Sequence, residues 1–174
     1  FTLGGAGQNV DATAGSGDTI AFGDLSGSGT VETVAGDTIE LSNNADISGV
    51  DAEGSGAGSA FNADSLTLSG DANVTMKVGQ HEGFGSITAD GAETVTLLDA
   101  GTISGDSSVE TYVLADAAGN SFIGADIGQV VLGGTNDDDI TGGTGSDDIS
   151  GGIGDDTITG GVGADTLTGG AGDD

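Results

Sequence analysis

The sequence predicts an all-β fold, a right-handed parallel β-solenoid built from stacked coils of short strands. Three observations favour it: 37 glycines with no proline, strand-sized apolar segments at nearly constant spacing, and a strict nine-residue repeat near the C-terminus. Aromatic residues make up only 3% of the 174 residues, although 34% are hydrophobic. Because aromatic side chains supply much of the buried area of ordinary cores, this composition favours a thin, repeated core over one central core.

The nine-residue repeat occupies residues 133–174. Its units are GGTNDDDIT (133–141), GGTGSDDIS (142–150), GGIGDDTIT (151–159), GGVGADTLT (160–168) and the incomplete GGAGDD (169–174). The eighth position of each complete unit is Ile or Leu. The sixth position of every unit is aspartate: Asp138, Asp147, Asp156, Asp165 and Asp174.

Each position of the unit has a physical reason. The alternation of polar and apolar residues at Thr157, Ile158 and Thr159 predicts a short strand with one side chain facing inward. The first six residues must then reverse the chain, and glycine permits the positive φ angles that this requires. Two units make one coil of 18 residues. The spacing therefore predicts that Asp138 stacks on Asp156, Asp147 on Asp165, and Asp156 on Asp174.

Stacked aspartates predict a bound cation. Carboxylates one strand spacing apart, about 4.8 Å, repel each other unless a cation lies between them. Carboxylate and crowded carbonyl oxygens are hard ligands, which suit Ca²⁺. A flexible Gly/Asp-rich linker would not keep an apolar eighth position. An EF-hand loop, which Asp137, Asp139, Thr141 and Gly142 loosely fit, explains the residues less well than the nine-residue register.

These units resemble the RTX repeat, GGxGxDxUx, in which U is an apolar residue. The resemblance implies a β-roll in which Ca²⁺ lies between stacked turns, held by sixth-position aspartates and by turn carbonyls. Asp137, Asp148 and Asp173 adjoin these positions without an assigned role. The implied metal-site residues are Asp138, Asp147, Asp156, Asp165 and Asp174, with the carbonyl groups of Gly133, Thr135, Gly142, Thr144, Gly151, Ile153, Gly160 and Val162.

Residues 1–132 form an irregular parallel solenoid in this prediction, and residues 133–174 form the RTX β-roll. AETVTL (92–97), VETYVL (109–114) and IGQVVL (127–132) mark one strand per coil, and GSIT (85–88), GTIS (101–104) and SFIG (121–124) mark the other. Further strands are predicted at 18–22, 29–34, 37–42, 64–69 and 73–78. Residues 49–63 lack strand character and predict a loop. No segment has the periodicity of a capped helix.

The net charge of −28, from 29 acids and one base, restricts the partners. Nucleic acid and anionic membrane surfaces would be repelled, and no apolar run is long enough for membrane insertion. Cations, above all calcium ions, are the expected partners. The chain begins at Phe1 and stops inside a repeat, so we expect a fragment of a longer protein.

The opening stretch FTLGGAGQNVDATAGSGDTIAFG and the VET and AET strands resemble bacterial surface-layer and RTX surface proteins. That resemblance implies an extracellular protein at the bacterial cell surface, exported by a type I system. We expect a calcium-dependent structural protein that folds there and self-associates into a lattice or filament. A cell-surface polysaccharide is a further candidate partner. The alternative is an RTX module of a secreted enzyme or adhesin whose active domain lies outside this sequence.

No enzymatic activity is expected of the chain itself. It has no cysteine and one histidine, His81, in the glycine-flanked stretch GQHEGFG, where a solvent-facing side chain is expected. No GxSxG nucleophile motif is present in the sequence. The many carboxylates are better explained as solubilising charge or as calcium ligands than as paired catalytic acids.

Overall fold

The described residues form an all-β parallel solenoid, as the sequence predicts, and they also include a short helix, α1 (Val78–Gly83). The computed structural model describes residues 2–4, 9–11, 19–24, 29–32, 37–41, 44–47, 50–52, 65–70, 72–116 and 118–174. The strands are β1 (Thr2–Gly4), β2 (Asn9–Asp11), β3 (Thr19–Asp24), β4 (Gly29–Glu32), β5 (Thr38–Leu41), β6 (Ala45–Asp46), β7 (Val50–Ala52), β8 (Ser65–Leu68), β9 (Val74–Met76), β10 (Ser86–Ala89), β11 (Thr94–Leu97), β12 (Thr102–Ser104), β13 (Thr111–Val113), β14 (Ser121–Ile123), β15 (Val130–Gly134), β16 (Asp139–Thr144), β17 (Asp148–Ile153), β18 (Thr157–Val162) and β19 (Thr166–Ala171).

The chain divides into two compact units, Phe1–Glu93 and Thr94–Asp174. In the first unit, parallel strands stack in the orders β1-β3-β5-β8-β10 and β2-β4-β7, and β6 pairs with β9. Ile39 pairs with Leu66 and Leu41 with Leu68, so buried side chains stack directly on each other. This alternation of buried and half-buried residues is the period-two pattern of a strand with one face in the core.

The second unit contains two parallel stacks, β11-β13-β15-β17-β19 and β12-β14-β16-β18. Each coil contributes one strand to each stack, and the apolar residues in register form two columns, which are buried as far as Ile149 and Ile140. Those columns are Val95–Tyr112–Val131–Ile149–Leu167 and Ile103–Phe122–Ile140–Ile158. The Tyr112 and Phe122 rings touch, with centroids 5.0 Å apart and planes tilted by 55°. The aromatic side chains of this core thus lie in the coils that precede the nonapeptide repeats.

Two details of the second unit differ from the sequence prediction. The predicted segments begin at residues 109 and 127, 18 residues apart, but Thr111 pairs with Val130, which lies 19 residues further along the chain. This register puts Val131 next to Tyr112 in the core and leaves Gln129 in the turn before β15. The repeat strands are also longer than predicted, because pairing continues through the glycines, as in Gly143 with Gly161 and Thr144 with Val162.

Two further expectations are wrong. His81 lies on α1 and is buried, with 4% of its surface exposed and its Nδ1 3.0 Å from Glu82 Oε1. The prediction missed this helix because six residues are too few to establish a helical period. Val50–Ala52 forms β7, which pairs with β4, inside the segment predicted as a loop. The rest of that segment, residue 49 and residues 53–63, lies outside the described residues.

No helix among the described residues has both the length and the apolar character needed to cross a membrane.

Candidate calcium site

Hydrogen bonds join the sixth-position aspartates into two rows that run along the nonapeptide coils. In the first row, Asp138 N–H donates to Asp156 Oδ1 (2.8 Å) and Asp156 N–H donates to Asp174 Oδ1 (3.1 Å). In the second row, Asp147 N–H donates to Asp165 Oδ1 (3.1 Å). The predicted stacking is therefore present, because each carboxylate holds the backbone of the coil before it.

One oxygen of each buried carboxylate has no partner. Asp138, Asp147 and Asp156 are 3%, 2% and 4% exposed, and the Oδ2 atom of each is buried without a hydrogen bond. A buried carboxylate oxygen without a hydrogen-bond partner is costly, so these oxygens fit a site that holds a cation. Burial raises the pKa of Asp138 above its ordinary value. Hydrogen bonds from Asn120 oppose this rise, and the negative charges of Asp156 and Asp116 add to it.

The first glycine of each unit keeps a space open beside these oxygens. A Cβ atom on Gly133 would lie 2.7 Å from Asp138 Oδ2 and would also collide with the carbonyl oxygen of Gly151. A Cβ atom on Gly142 would lie 2.5 Å from Asp147 Oδ2, against the carbonyl oxygen of Gly160. An unpartnered carboxylate oxygen and a carbonyl oxygen from the next coil therefore border the same space, in agreement with the donor chemistry of Ca²⁺.

The second glycine of each unit has a positive φ. The angle is +113° at Gly152 and +103° at Gly161. A Cβ atom on Gly152 would press against the carbonyl oxygen of Gly134 in the coil before it. Glycine is required here both for its backbone angle and for the close approach of the turns.

Backbone carbonyls must complete any such site. Among the residues that the structure describes, no three His, Cys, Asp or Glu side chains are grouped as a metal site would need. The Val162 carbonyl accepts a hydrogen bond from Gly145 N–H (2.8 Å), which uses one of its two lone pairs. The Thr135 hydroxyl donates to the Asp116 carbonyl (3.3 Å), and the Thr144 hydroxyl donates to Asp126 Oδ1 (3.1 Å).

Other aspartates of the repeats, at the fifth and seventh positions of a unit, lie outside the two rows. Asp155 N–H donates to Asp137 Oδ1 (2.8 Å), and Asp173 N–H donates to Asp155 Oδ1 (2.9 Å). These fifth-position side chains are exposed, as is Asp148 on β17. The fifth-position carboxylates thus bind the backbone of the coil after them, opposite in direction to the sixth-position rows.

The sequence prediction missed the start of both rows, which is formed by amides. Asn120 N–H donates to Asp138 Oδ1 (2.7 Å), and Gln129 N–H donates to Asp147 Oδ1 (2.8 Å). Both residues are buried. Each lies 18 residues before the aspartate that it binds, so counting one coil backwards along the sequence would have found them.

The fold and these turns define a class of protein, a parallel β-solenoid with stacked carboxylate turns shaped for a hard cation. Residues 132–167 and 141–174 match the family model of the RTX calcium-binding nonapeptide repeat (4 copies). The C-terminal part of the chain therefore consists of RTX repeats, which bind calcium and are typical of secreted proteins. No curated protein and no solved structure matches the chain.

Proposed function

We propose that this chain is an extracellular structural protein of bacteria that folds when it meets calcium and then self-associates at the cell surface. The observation that carries the proposal is the set of buried, unpartnered carboxylate oxygens in the two rows, at Asp138, Asp147 and Asp156. In this proposal the chain is a structural element and not an enzyme. The site residues are the sixth-position aspartates and the turn carbonyls identified from the repeat.

The folding step follows from charge and hydrogen bonding. Calcium, when bound, supplies positive charge to oxygens that otherwise repel one another. The aspartate Oδ1 atoms hold the preceding coil through its N–H groups, and the Oδ2 atoms point into the space beside the first glycine. Without a cation, the net charge of −28 and the thin core oppose compaction of the repeats. Metal binding thus becomes folding free energy, and low cytosolic calcium would leave the repeats unfolded before export.

Self-association is supported by an apolar outer face in the coils before the repeats. Leu98, Val130 and Leu132 are 48%, 37% and 43% exposed. Leu132 pairs with Val113, so outward side chains of adjacent coils are neighbours on this face. Contiguous exposed apolar side chains are a common feature of association surfaces. In the repeats, Asp148 and Ser150 of β17 pair with Val130 and Leu132, so polar residues take these positions.

The test is a calcium titration of the chain, followed by circular dichroism and by light scattering. We expect the strand signal to rise with calcium and the particle size to grow afterwards. Val130→Thr with Leu132→Thr should leave the folding step in place and reduce the growth. Folding without growth would contradict self-association and favour the alternative, an RTX module of a secreted enzyme or adhesin. Absence of any calcium response would contradict the proposal as a whole.

A matched pair of variants tests the site. Asp147→Asn keeps an oxygen that can accept the Gln129 N–H but removes a buried charge, whereas Asp148→Asn removes the same charge from an exposed side chain. Because the affinity of calcium sites depends on ligand charge, we expect Asp147→Asn to raise the calcium midpoint of folding roughly tenfold or more. Asp148→Asn should change it little. Equal effects of the two variants would contradict the assignment of the site.

A further inference from the structure

The two amides that begin the rows have hydrogen bonds that a cation could replace. The Asn120 side-chain NH₂ donates to the carbonyls of Ala115 (3.1 Å) and Ala118 (3.4 Å) and to Asp138 Oδ1 (3.0 Å). It therefore joins turn carbonyls to a sixth-position carboxylate. Carbonyl and carboxylate oxygens are also the donor atoms that the calcium site of the later coils requires.

Gln129 makes the corresponding bonds in the second row. Its side-chain NH₂ donates to the carbonyls of Asp106 (3.1 Å) and Val109 (2.7 Å), and its Oε1 accepts from Ala125 N–H (2.9 Å). Gln129 is 2% exposed, so these bonds are shielded from water. Its backbone N–H meanwhile binds Asp147 Oδ1, the first carboxylate of its row.

We propose that Asn120 and Gln129 are amide caps at the N-terminal start of the calcium rows and allow the coils of residues 94–131 to fold without metal. An amide NH₂ satisfies turn carbonyls with two N–H donors and no net charge, whereas a carboxylate at the same place would present only acceptors. The caps also present preformed N–H groups to Asp138 and Asp147, so the metal-free coils template the first calcium-dependent coil. This inference rests on the proposed calcium site, and it adds the position in the chain at which the calcium-dependent coils begin.

Near-isosteric substitutions test the caps directly. Asn120→Asp would place a carboxylate oxygen beside two carbonyls and beside Asp138 Oδ1, and Gln129→Glu would place one beside the Asp106 and Val109 carbonyls. Without calcium these oxygens repel. With calcium they could join a new site. Asn44→Asp is the matched control, because Asn44 is exposed and accepts the Asn73 N–H through Oδ1, which a carboxylate can also do.

Tyr112, the only tyrosine in a chain without tryptophan, reports on the capped coils. It is fully buried, and its hydroxyl accepts the Asp106 N–H (2.8 Å) in the turn that Gln129 also binds. Urea unfolding followed by Tyr112 fluorescence in a calcium chelator should show a cooperative transition for the parent chain and for Asn44→Asp. Asn120→Asp and Gln129→Glu should lower the folding equilibrium constant by roughly tenfold or more, because buried polar groups lose their partners. Saturating calcium should restore much of that loss.

Titration calorimetry with calcium chloride gives the second readout. We expect the Asn120→Asp chain to bind one more calcium ion than the parent chain and than Asn44→Asp. If Asn120→Asp binds the same number of calcium ions as the parent chain and is equally stable in the chelator, the proposal that these amides are caps is wrong. The proposal is also wrong if the parent chain shows no cooperative urea unfolding transition in Tyr112 fluorescence in the chelator. A parent chain that binds no calcium at all would instead overturn the proposed function.

Discussion

The coils of residues 94–131 and the RTX coils of residues 132–174 use the same stack of parallel strands but satisfy their turns in different ways. The earlier coils bury Tyr112 and Phe122, and the Asn120 and Gln129 amides bind the carbonyls of their turns. In these coils Asn120 Oδ1 and Glu110 Oε2 are also buried without a hydrogen bond, but neither belongs to a row of stacked aspartates. In the RTX coils the buried apolar side chains are aliphatic, and the buried Asp138, Asp147 and Asp156 each leave one carboxylate oxygen without a hydrogen-bond partner. Strand pairing alone therefore does not decide the stability of this solenoid, because the polar groups of the turns also need hydrogen-bond or cation partners.

Core packing should matter most in the earlier coils. Phe122 is 1% exposed and lies between Ile103 and Ile140 in its column. Replacement by alanine leaves a large cavity, and we expect Phe122→Ala to lower the free energy of unfolding by about 3–5 kcal/mol. Chemical denaturation in the chelator, followed by Tyr112 fluorescence, measures this. A loss of stability seen only with calcium would contradict the independence of these coils.

Turn geometry should matter most in the RTX coils. Gly152→Ala puts a side chain at φ +113° and against the Gly134 carbonyl. We expect a loss of about 1–3 kcal/mol in the calcium-loaded chain, because non-glycine residues in such conformations are strained. Thermal unfolding at saturating calcium, followed by circular dichroism, measures it.

Gly79→Ala is the control for that glycine. Gly79 lies in α1, where an added Cβ atom meets nothing within 4 Å, so this change should leave stability the same or raise it slightly. Equal losses of stability in Gly152→Ala and Gly79→Ala would contradict the claim that the tight turn requires glycine at position 152.

The smallest effect concerns a single hydrogen bond of the earlier coils. Tyr112→Phe removes the hydroxyl that accepts the Asp106 N–H, and it keeps the ring packed on Phe122. We expect a loss of about 1 kcal/mol in the chelator, because that is the usual net worth of one hydrogen bond. Urea unfolding followed by circular dichroism measures it, and the calcium midpoint of the RTX coils should not move.

Much of this account follows from the sequence. The nine-residue period predicted the parallel strands, and the sixth-position aspartates predicted the stacking of Asp138 on Asp156. These features repeat, and a repeat can be recognised without tertiary contacts. The family match confirmed the calcium-binding character of the repeats, while the individual ligands stay a prediction.

Two of the features that the sequence prediction missed occur once each. The register of Thr111 with Val130 depends on Tyr112 meeting Val131 in the core, which no local pattern encodes. The short helix α1 is held partly by the buried Gln80 side chain, which donates to the Ile47 carbonyl (2.7 Å) across a long sequence separation. Single long-range contacts of this kind are invisible to periodicity.

Residue-resolved hydrogen exchange of the parent chain, with calcium and with a chelator, tests the central claim most directly. We predict that the amides of β16 to β19 are protected only with calcium, together with the Asp138, Asp147 and Asp156 N–H groups that bind the carboxylate rows. Amides of β12 to β14 should be protected in both conditions. Protection of β16 to β19 in the chelator, or loss of protection in both regions together, would contradict the division of the second unit into metal-free and calcium-dependent coils.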